Sequence, residues 1–280
     1  MIDHITANLI CPHCDAQITE EISPSACVVS YKCPACGQAL TPTADDGCVF
    51  CSYSDVAVCI DTEECNCARC LPDSDQRFHV VLGVSPFNSY YNERRLSNLL
   101  TWSASHFKQT DVFIPDTPTI WTLEAGGYPL KRATHKTKRQ IRYLTNKVTR
   151  AIESTDDSHQ IAVLPWSVMS EEYDTYHSLY ERCKAAFTHD TTFRHACLDA
   201  TEEVMENRSR DTHEPSTSDR LRAVDYLMAE LPIILFAPEL FDVPTSTFVY
   251  HRSLPLFEKL FANDFLLQPN PGQHFVVAHE

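Results

Sequence analysis

Phe78-His-Val-Val-Leu-Gly83-Val-Ser85-Pro86-Phe-Asn88-Ser89-Tyr-Tyr91 is the stretch that decides the fold. Residues 78–84 are apolar and β-branched, the composition of a strand buried on both faces. Pro86 cannot donate to a sheet ladder, so the strand stops at Ser85. Alternation places Ser85, Gly83 and Val81 on one face. Ligand sites of open α/β sheets lie at the carboxyl ends of strands, which is where Ser85 falls. Gly83 lets another group approach the backbone closely. Asn88 and Ser89 add hydrogen-bonding side chains just past the proline. Two readings follow: a nucleophilic serine in a polar loop, or a Ser-Pro turn after a core strand. A nucleophile elbow needs G-x-S-x-G. Here Gly83-Val-Ser85-Pro-Phe87 lacks the second glycine, which argues against an ordinary α/β-hydrolase.

Downstream, Leu96, Leu99, Leu100 and Phe107 recur at helical spacing, and a short strand from Asp111 to Ile114 ends at Pro115-Asp116. Strand, helix, strand is the pattern of a parallel βαβ unit. Thr119 to Leu123 reads as a short extended piece, and Gly126-Gly127 as a loop. Ile161 to Leu164 is the next strand. Residues 171–187 form a helix whose Tyr173, Tyr176, Tyr180, Cys183 and Phe187 face the core. A further helix covers 193–206, and 207–218 is a polar loop. Ser218-Asp219 caps a helix that runs to Leu231, with Leu221, Val224, Met228 and Leu231 as its apolar stripe. Tyr226 and Glu230 are neighbours on another face of it. They are either an acid/base pair or an exposed polar patch. Pro232 to Ala237 reads as a strand. Thr245 to His251 is the last clear strand, with Phe248 and Tyr250 on one face and Val249 and His251 on the other. A short helix, Leu254 to Phe261, and a turn-rich tail follow. The expected fold class is α/β.

The chain has 280 residues and a net charge of −15, an unpromising total for a nucleic-acid binder. The distribution matters more than the sum. Residues 131–150 hold eight cations (Lys131, Arg132, Lys136, Lys138, Arg139, Arg142, Lys147, Arg150) and no acid. A solvated helix face is the bland explanation. Eight uncompensated cations repel one another unless a polyanion lies nearby, so a phosphate-backbone contact is the better reading. No apolar run reaches the length of a membrane span, and no basic-then-apolar leader is visible. A soluble, cytoplasmic protein is expected.

Eleven of the 13 cysteines precede residue 71, mostly as C-x-x-C pairs. In a reducing compartment that pattern reads as metal binding. Cys11-x-x-Cys14 with Cys33-x-x-Cys36 forms one tetrathiolate set, and Cys48-x-x-Cys51 with Cys67-x-x-Cys70 forms another. Cys27, Cys59 and Cys65 are spare. The bland alternative is a cluster of free or redox-active thiols. Two structural zinc ions are expected in a zinc-ribbon-like segment, residues 1–77, because a small segment with few large apolar residues needs such a staple. Leu71-Pro-Asp-Ser-Asp75 is a linker, and the main domain covers 78–280.

Three segments, in order, carry a resemblance: Gly83-Val-Ser85-Pro-Phe-Asn88-Ser-Tyr90, Tyr226-Leu-Met-Ala-Glu230-Leu-Pro232, and Tyr250-His251. With the strand-end Asp116, Gly127-Tyr128 and the basic helix, residues 78–280 resemble the cyclodipeptide synthases. The combination of Asn88, Tyr250 and His251 resembles the larger subfamily. The cysteine-rich segment lies outside the family pattern.

The resemblance implies a Rossmann-like parallel sheet flanked by helices, similar to the catalytic domain of class I aminoacyl-tRNA synthetases. It implies two aminoacyl-tRNAs as substrates and a cyclic dipeptide as product. No ATP or nucleotide cofactor is implied, and no G-x-x-x-x-G-K-[ST] loop is present. DNA and membranes are not expected partners. Ser85 would carry the first aminoacyl group, and Tyr226 and Glu230 would hold its α-ammonium. Glu230 would also shuttle the amine proton, and Tyr250 would serve ring closure. Asn88 and His251 would position the loop and Tyr250, while the basic helix would hold the acceptor arms. Val81, Gly83, Ile233 and Phe248, with Ile234, suggest an apolar pocket for the first side chain. Glu93 and Asp116 keep a cationic one open. Two other functions remain: a non-catalytic zinc-containing tRNA-binding protein, and an aminoacyl-tRNA-dependent transferase with a different acceptor.

Overall fold

The N-terminal part of the computed structural model consists of two small antiparallel ladders. Strand β1 (Ile5–Ile10) pairs with β2 (Gln17–Ile22), and β3 (Tyr31–Lys32) with β4 (Ala39–Leu40). A short helix, α1 (Val49–Tyr53), follows. The structure describes residues 5–22, 28, 30–41, 49–54, 77–155, 158–208, 215–252 and 254–278.

The remainder alternates strands and helices: β5 (His79–Gly83), α2 (Glu93–His106), β6 (Gln109–Ile114), α3 (Pro118–Ala125), α4 (Leu130–Glu153) and β7 (Ile161–Pro165). After these come α5 (Trp166–Glu172), α6 (Asp174–His189), α7 (Thr191–Arg208), α8 (Thr217–Leu235), α9 (Ala237–Phe241), β8 (Ser246–Tyr250), α10 (Pro255–Phe261) and β9 (Gln273–Val277). The five strands form one parallel sheet in the order β7-β6-β5-β8-β9. Counted from β5, the third, second and first strands precede the fourth and fifth, which is the Rossmann order. The order reverses between β5 and β8, so the switch-point crevice opens beyond Gly83 and Tyr250.

Each face of the sheet has its own core. Val80, Leu82, Val112, Val249 and Val276 pack with Leu96, Leu99 and Leu100 of α2 and with Leu144 and Val148 of α4. Ala7, Leu9, Val49 and Phe50 of the N-terminal part belong to this same cluster. Val81, Phe113, Phe248, Phe275 and Val277 face the opposite way, toward α6, α7, α8 and α10. Strands covered on both faces carry little polar alternation, which is why 80–84 is an unbroken apolar run after His79.

Four local expectations are corrected. Residues 232–235 continue α8 as helix rather than forming a strand. Pro232 removes one helical hydrogen bond, and the ladder resumes with Phe236 N–H donating to the Pro232 carbonyl at 3.0 Å. Leu231, Ile233, Leu235 and Phe236 are all fully buried, so no periodicity separates helix from strand there. Thr119–Leu123 is likewise helical, within α3, where Pro118 opens the first turn. The helix expected over 171–187 is two helices that meet at Tyr173. Finally, the cap of α8 is Ser216, which forms a capping box with Asp219, and Leu221 is exposed. Strand β9 adds a fifth strand after Thr245–His251.

A polar chain lies near the amino ends of the strands, on the same face of the sheet as Val81, Phe113 and Phe248. Ser246 Oγ meets His79 Nδ1 at 2.8 Å, and His79 Nε2 meets Asp111 Oδ2 at 2.8 Å. Gln109 Nε2 donates to the same carboxylate oxygen at 3.0 Å. Ser246, His79 and Asp111 are all buried.

Candidate active site

At the other end of the strands the polar groups face space. Val84 N–H donates to the Phe113 carbonyl at 3.0 Å, so sheet hydrogen bonding holds the chain up to the residue before Ser85. Pro86 then turns the chain, and Phe87 takes a left-handed conformation with φ 62°. Ser85 Oγ lies 2.5 Å from the Tyr250 hydroxyl at the end of β8. The two residues come from the two strands that flank the switch point.

Gly83 makes this approach possible. A Cβ at that position would sit 2.6 Å from Phe248 Cζ and 3.3 Å from Tyr250 Cδ2. The Phe248 and Tyr250 rings therefore occupy the volume that a side chain would fill.

The loop after Ser85 is tied to β8 by a chain of hydrogen bonds. Asn88 Oδ1 accepts the Tyr90 N–H at 2.9 Å, so its amide nitrogen is the group that meets His251 Nε2 at 3.0 Å. The Tyr91 phenol donates to the Gly83 carbonyl at 2.7 Å, and its oxygen lies 3.1 Å from His251 Nδ1. With that phenol proton used, Nδ1–H is the donor and Nε2 the acceptor, so His251 is neutral in this arrangement. Complete burial, with the Tyr250 phenol nearby, holds the Tyr91 phenol well above its ordinary range. Tyr90 anchors the same loop through its hydroxyl, which donates to the Ala278 carbonyl at 2.6 Å. Burial pushes its pKa up to about 12, against the pull of the Arg95 guanidinium.

Across the cavity, α8 contributes Tyr226 and Glu230. The Tyr226 hydroxyl donates to Glu230 Oε1 at 2.7 Å, as the four-residue spacing predicts. One turn of α8 is clamped next to Glu230: the Tyr176 hydroxyl and the Trp166 indole N–H both donate to the Ala229 carbonyl, at 3.1 and 3.2 Å.

The enclosed volume is about 380 Å³. Ser85, Asn88, Tyr226, Glu230, Tyr250 and His251 supply its polar groups. Phe113, Leu227, Ile234, Phe248, Leu254 and Phe257 supply an apolar wall. Gly83 and Phe248 line it as expected. Val81 and Ile233 do not: both are wholly buried in the core behind it, and Ile234 takes the place expected of Ile233. Among the described residues, Glu230 is the one acid on the wall. Glu93 is held by Arg150 on the surface, and Asp116 accepts from the Ser167 backbone N–H at 3.0 Å and from its hydroxyl.

Sequence reasoning missed Tyr91, Arg252, and Ala200 and Thr201 of α7, which also line or organise the site. The only signal for Tyr91 was its place in a short polar loop after Ser85.

The basic segment is the helix α4. Lys131, Arg132, Lys138, Arg139 and Arg142 are exposed along it. Lys136 and Arg132 lie over the Tyr128 ring. Two cations have internal partners: Lys147 Nζ donates to the Tyr91 carbonyl at 3.2 Å, and Arg150 pairs with Glu93. In the N-terminal part, Cys11, Cys14, Cys33 and Cys36 converge. Cys48, Cys67 and Cys70 lie outside the described residues, as does the side chain of Cys51 on α1. Among the described residues no helix is long and apolar enough to cross a membrane.

A serine hydroxyl against a phenol, in one open cavity with a carboxylate and an apolar wall, suits transfer of an acyl group onto oxygen and then onto an amine. The family model "cyclodipeptide synthase" matches residues 61–280. The chain is 30% identical over 216 residues to a cyclo(L-leucyl-L-leucyl) synthase of Bacillus subtilis, covering 76% of this chain and 86% of that one. The crystal structure of a cyclo(L-leucyl-L-phenylalanyl) synthase superposes with TM-score 0.67 at 29% identity, over 73% of this chain and 91% of that one. A Mycobacterium tuberculosis structure, described as showing that cyclodipeptide synthetases are related to type I tRNA synthetases, superposes with TM-score 0.65 at 27% identity, covering 76% and 88%. The sheet order, the residues at its switch point and these matches lead to one conclusion: the chain belongs to the cyclodipeptide synthase family.

Proposed function

We propose that this chain condenses two aminoacyl groups, each delivered as an ester on tRNA, into a cyclic dipeptide through an aminoacyl ester on Ser85. The observation that carries this is the 2.5 Å contact between Ser85 Oγ and the Tyr250 hydroxyl, in a cavity that the Tyr226–Glu230 pair also faces. Ser85 Oγ attacks the ester carbonyl, and the first tRNA leaves with the proton on its ribose oxygen. One ester replaces another, so the step needs no ATP. The Glu230 carboxylate, oriented by Tyr226, holds the α-ammonium of the bound group. The amine of the second aminoacyl-tRNA attacks the Ser85 ester, forms a peptide bond and releases the serine hydroxyl. The free amine of the resulting dipeptide then closes on the remaining ester, directly or after return of the dipeptide to Ser85. Glu230 accepts protons from the attacking amines, and Tyr250 stands beside the carbonyl oxygen during closure.

Asn88, Tyr250 and His251 act together, which is the reading that puts the chain in the larger subfamily. Their hydrogen bonds support it. The apolar wall favours a nonpolar first residue, in keeping with the leucyl products named for two relatives. The exposed cations of α4 would hold the acceptor arms through phosphates. Free thiolate-forming cysteines and tRNA substrates both suit the cytoplasm. The N-terminal segment through residue 77 is too acidic for a phosphate grip, and it would stabilise the fold by packing against the α2 side of the sheet.

The test is mass spectrometry of medium from cells expressing the wild type beside a Ser85→Ala control. Cyclic dipeptides that appear only with the wild type establish the reaction and name both residues. No new cyclic dipeptide, with an aminoacyl adduct on Ser85, means another acceptor. Binding of tRNA with neither means a non-catalytic protein. Products that always contain a cationic residue overturn the apolar pocket.

A further inference from the structure

Two turns of the N-terminal part have the same construction. In Cys11-Pro-His-Cys14-Asp15, the Asp15 N–H donates to the Cys11 carbonyl at 2.9 Å. In Cys33-Pro-Ala-Cys36-Gly37, the Gly37 N–H donates to the Cys33 carbonyl at 2.8 Å. Asp15 and Gly37 both take left-handed conformations, with φ 56° and 74°. The first cysteine N–H of each turn closes a ladder, to the Ala16 carbonyl at 3.0 Å and to the Gln38 carbonyl at 2.9 Å. Each turn thus presents one buried and one exposed sulfur.

The sulfurs face one another crosswise. Cys11 Sγ lies 3.8 Å from Cys36 Sγ, and Cys14 Sγ lies 3.8 Å from Cys33 Sγ. All four lie within 4.8 Å of one another. A disulfide would bring a pair to about 2.05 Å. A tetrahedral ion with metal–sulfur bonds of about 2.3 Å sets its sulfurs about 3.8 Å apart, which is the spacing observed. No carboxylate or histidine nitrogen joins the group among the described residues.

We infer that Cys11, Cys14, Cys33 and Cys36 bind one zinc ion in a closed tetrathiolate site. Four protein sulfurs leave no position for water, so the ion is structural. It joins the β1–β2 hairpin to the β3–β4 ladder, neither of which has a core large enough to hold alone. Through Leu9, Val49 and Phe50, the joined unit packs into the cluster on the α2 side of the sheet. The site stands apart from the cavity and does not depend on the proposed reaction.

The experiment compares elemental analysis of the full-length wild type with that of a Cys14→Ser/Cys36→Ser variant, both purified without chelator. The expected result is a loss of one zinc per chain in the variant, whatever the other N-terminal cysteines bind. Cobalt exchanged into the wild type provides a second reading that needs no variant. An intense visible spectrum of tetrahedral thiolate ligation, with Cys11, Cys14, Cys33 and Cys36 shielded from alkylation until chelator is added, supports the assignment. Equal zinc in both proteins, iron in place of zinc, or a disulfide among these four overturns it.

Discussion

The sheet has a hydroxyl group in a hydrogen-bonded chain at each end, and the two ends differ in access. Near the amino end, Ser246, His79 and Asp111 are joined in the order of a hydrolase triad, with both contacts at 2.8 Å. At the carboxyl end, Ser85 touches a tyrosine, and no histidine hydrogen-bonds to it among the described residues. By residue type the first set looks more catalytic. It is buried, and Gln109 completes its partners, so nothing can reach it. Ser85 opens on a cavity because the strand order reverses beside it. An activated ester does not require a strong base at the attacking serine. The comparison shows that a constellation becomes a site through its position in the sheet, and that an equally well-formed one elsewhere serves stability.

The largest expected difference is between the two serines. Ser85→Ala should lower cyclic dipeptide formation at least about a thousandfold with the melting temperature nearly unchanged. Ser246→Ala should leave turnover per folded molecule within a few-fold and lower the melting temperature. Side-by-side product assays and thermal melts check both, and the reverse pattern would break the comparison. Glu230→Gln keeps shape but removes the charge proposed to hold the ammonium, and a loss of about a hundredfold in kcat/KM is expected. An unchanged value would remove Glu230 from the chemistry.

His79→Ala should destabilise the fold by about 2–4 kcal/mol, since it leaves a cavity and a buried carboxylate short of a partner. Denaturant titration measures this, and turnover of the remaining folded protein should hold.

The smallest effect concerns Tyr91. Its folded-state pKa is raised by burial, so it contributes stability that is complete below the ordinary phenol range of about 10. That contribution is lost as pH rises from there through the folded value. Tyr91→Phe should cost about 1–2 kcal/mol at neutral pH and flatten the alkaline loss of stability, measured by melts across the pH range. An equally steep alkaline loss in the variant would place its origin elsewhere.

Much of this was legible in the sequence because strand ends and helix faces follow from short-range chemistry. Pro86 marked the end of β5, and the four-residue step from Tyr226 to Glu230 gave their contact. The alternation of Phe248 and Tyr250 gave the face of β8. The resemblance linked these segments, which lie up to 165 residues apart in the Ser85–Tyr250 pair. What stayed hidden depended on surroundings. Residues 231–237 are buried all round, so the pattern could not favour helix over strand. Val81 and Ile233 have the right type for the pocket, but both are wholly buried in the core behind it. Tyr91 owes its role to a carbonyl and an imidazole that only the folded chain brings to it. His79, Asp111 and Ser246 are an ordinary histidine, aspartate and serine until parallel pairing sets them side by side.

The contacts of Lys147 and Arg150 have a consequence for how tightly the proposed tRNA complex is held. Each phosphate that pairs with a cation releases condensed counterions, so a salt titration counts the pairs formed. Lys147 is already bonded to the Tyr91 carbonyl and Arg150 to Glu93. The count open to α4 is therefore six of its eight cations, and a plot of log affinity against log salt should fall no more steeply than about −5.4 on account of this helix. A steeper slope would place phosphate contacts on other elements of the chain as well.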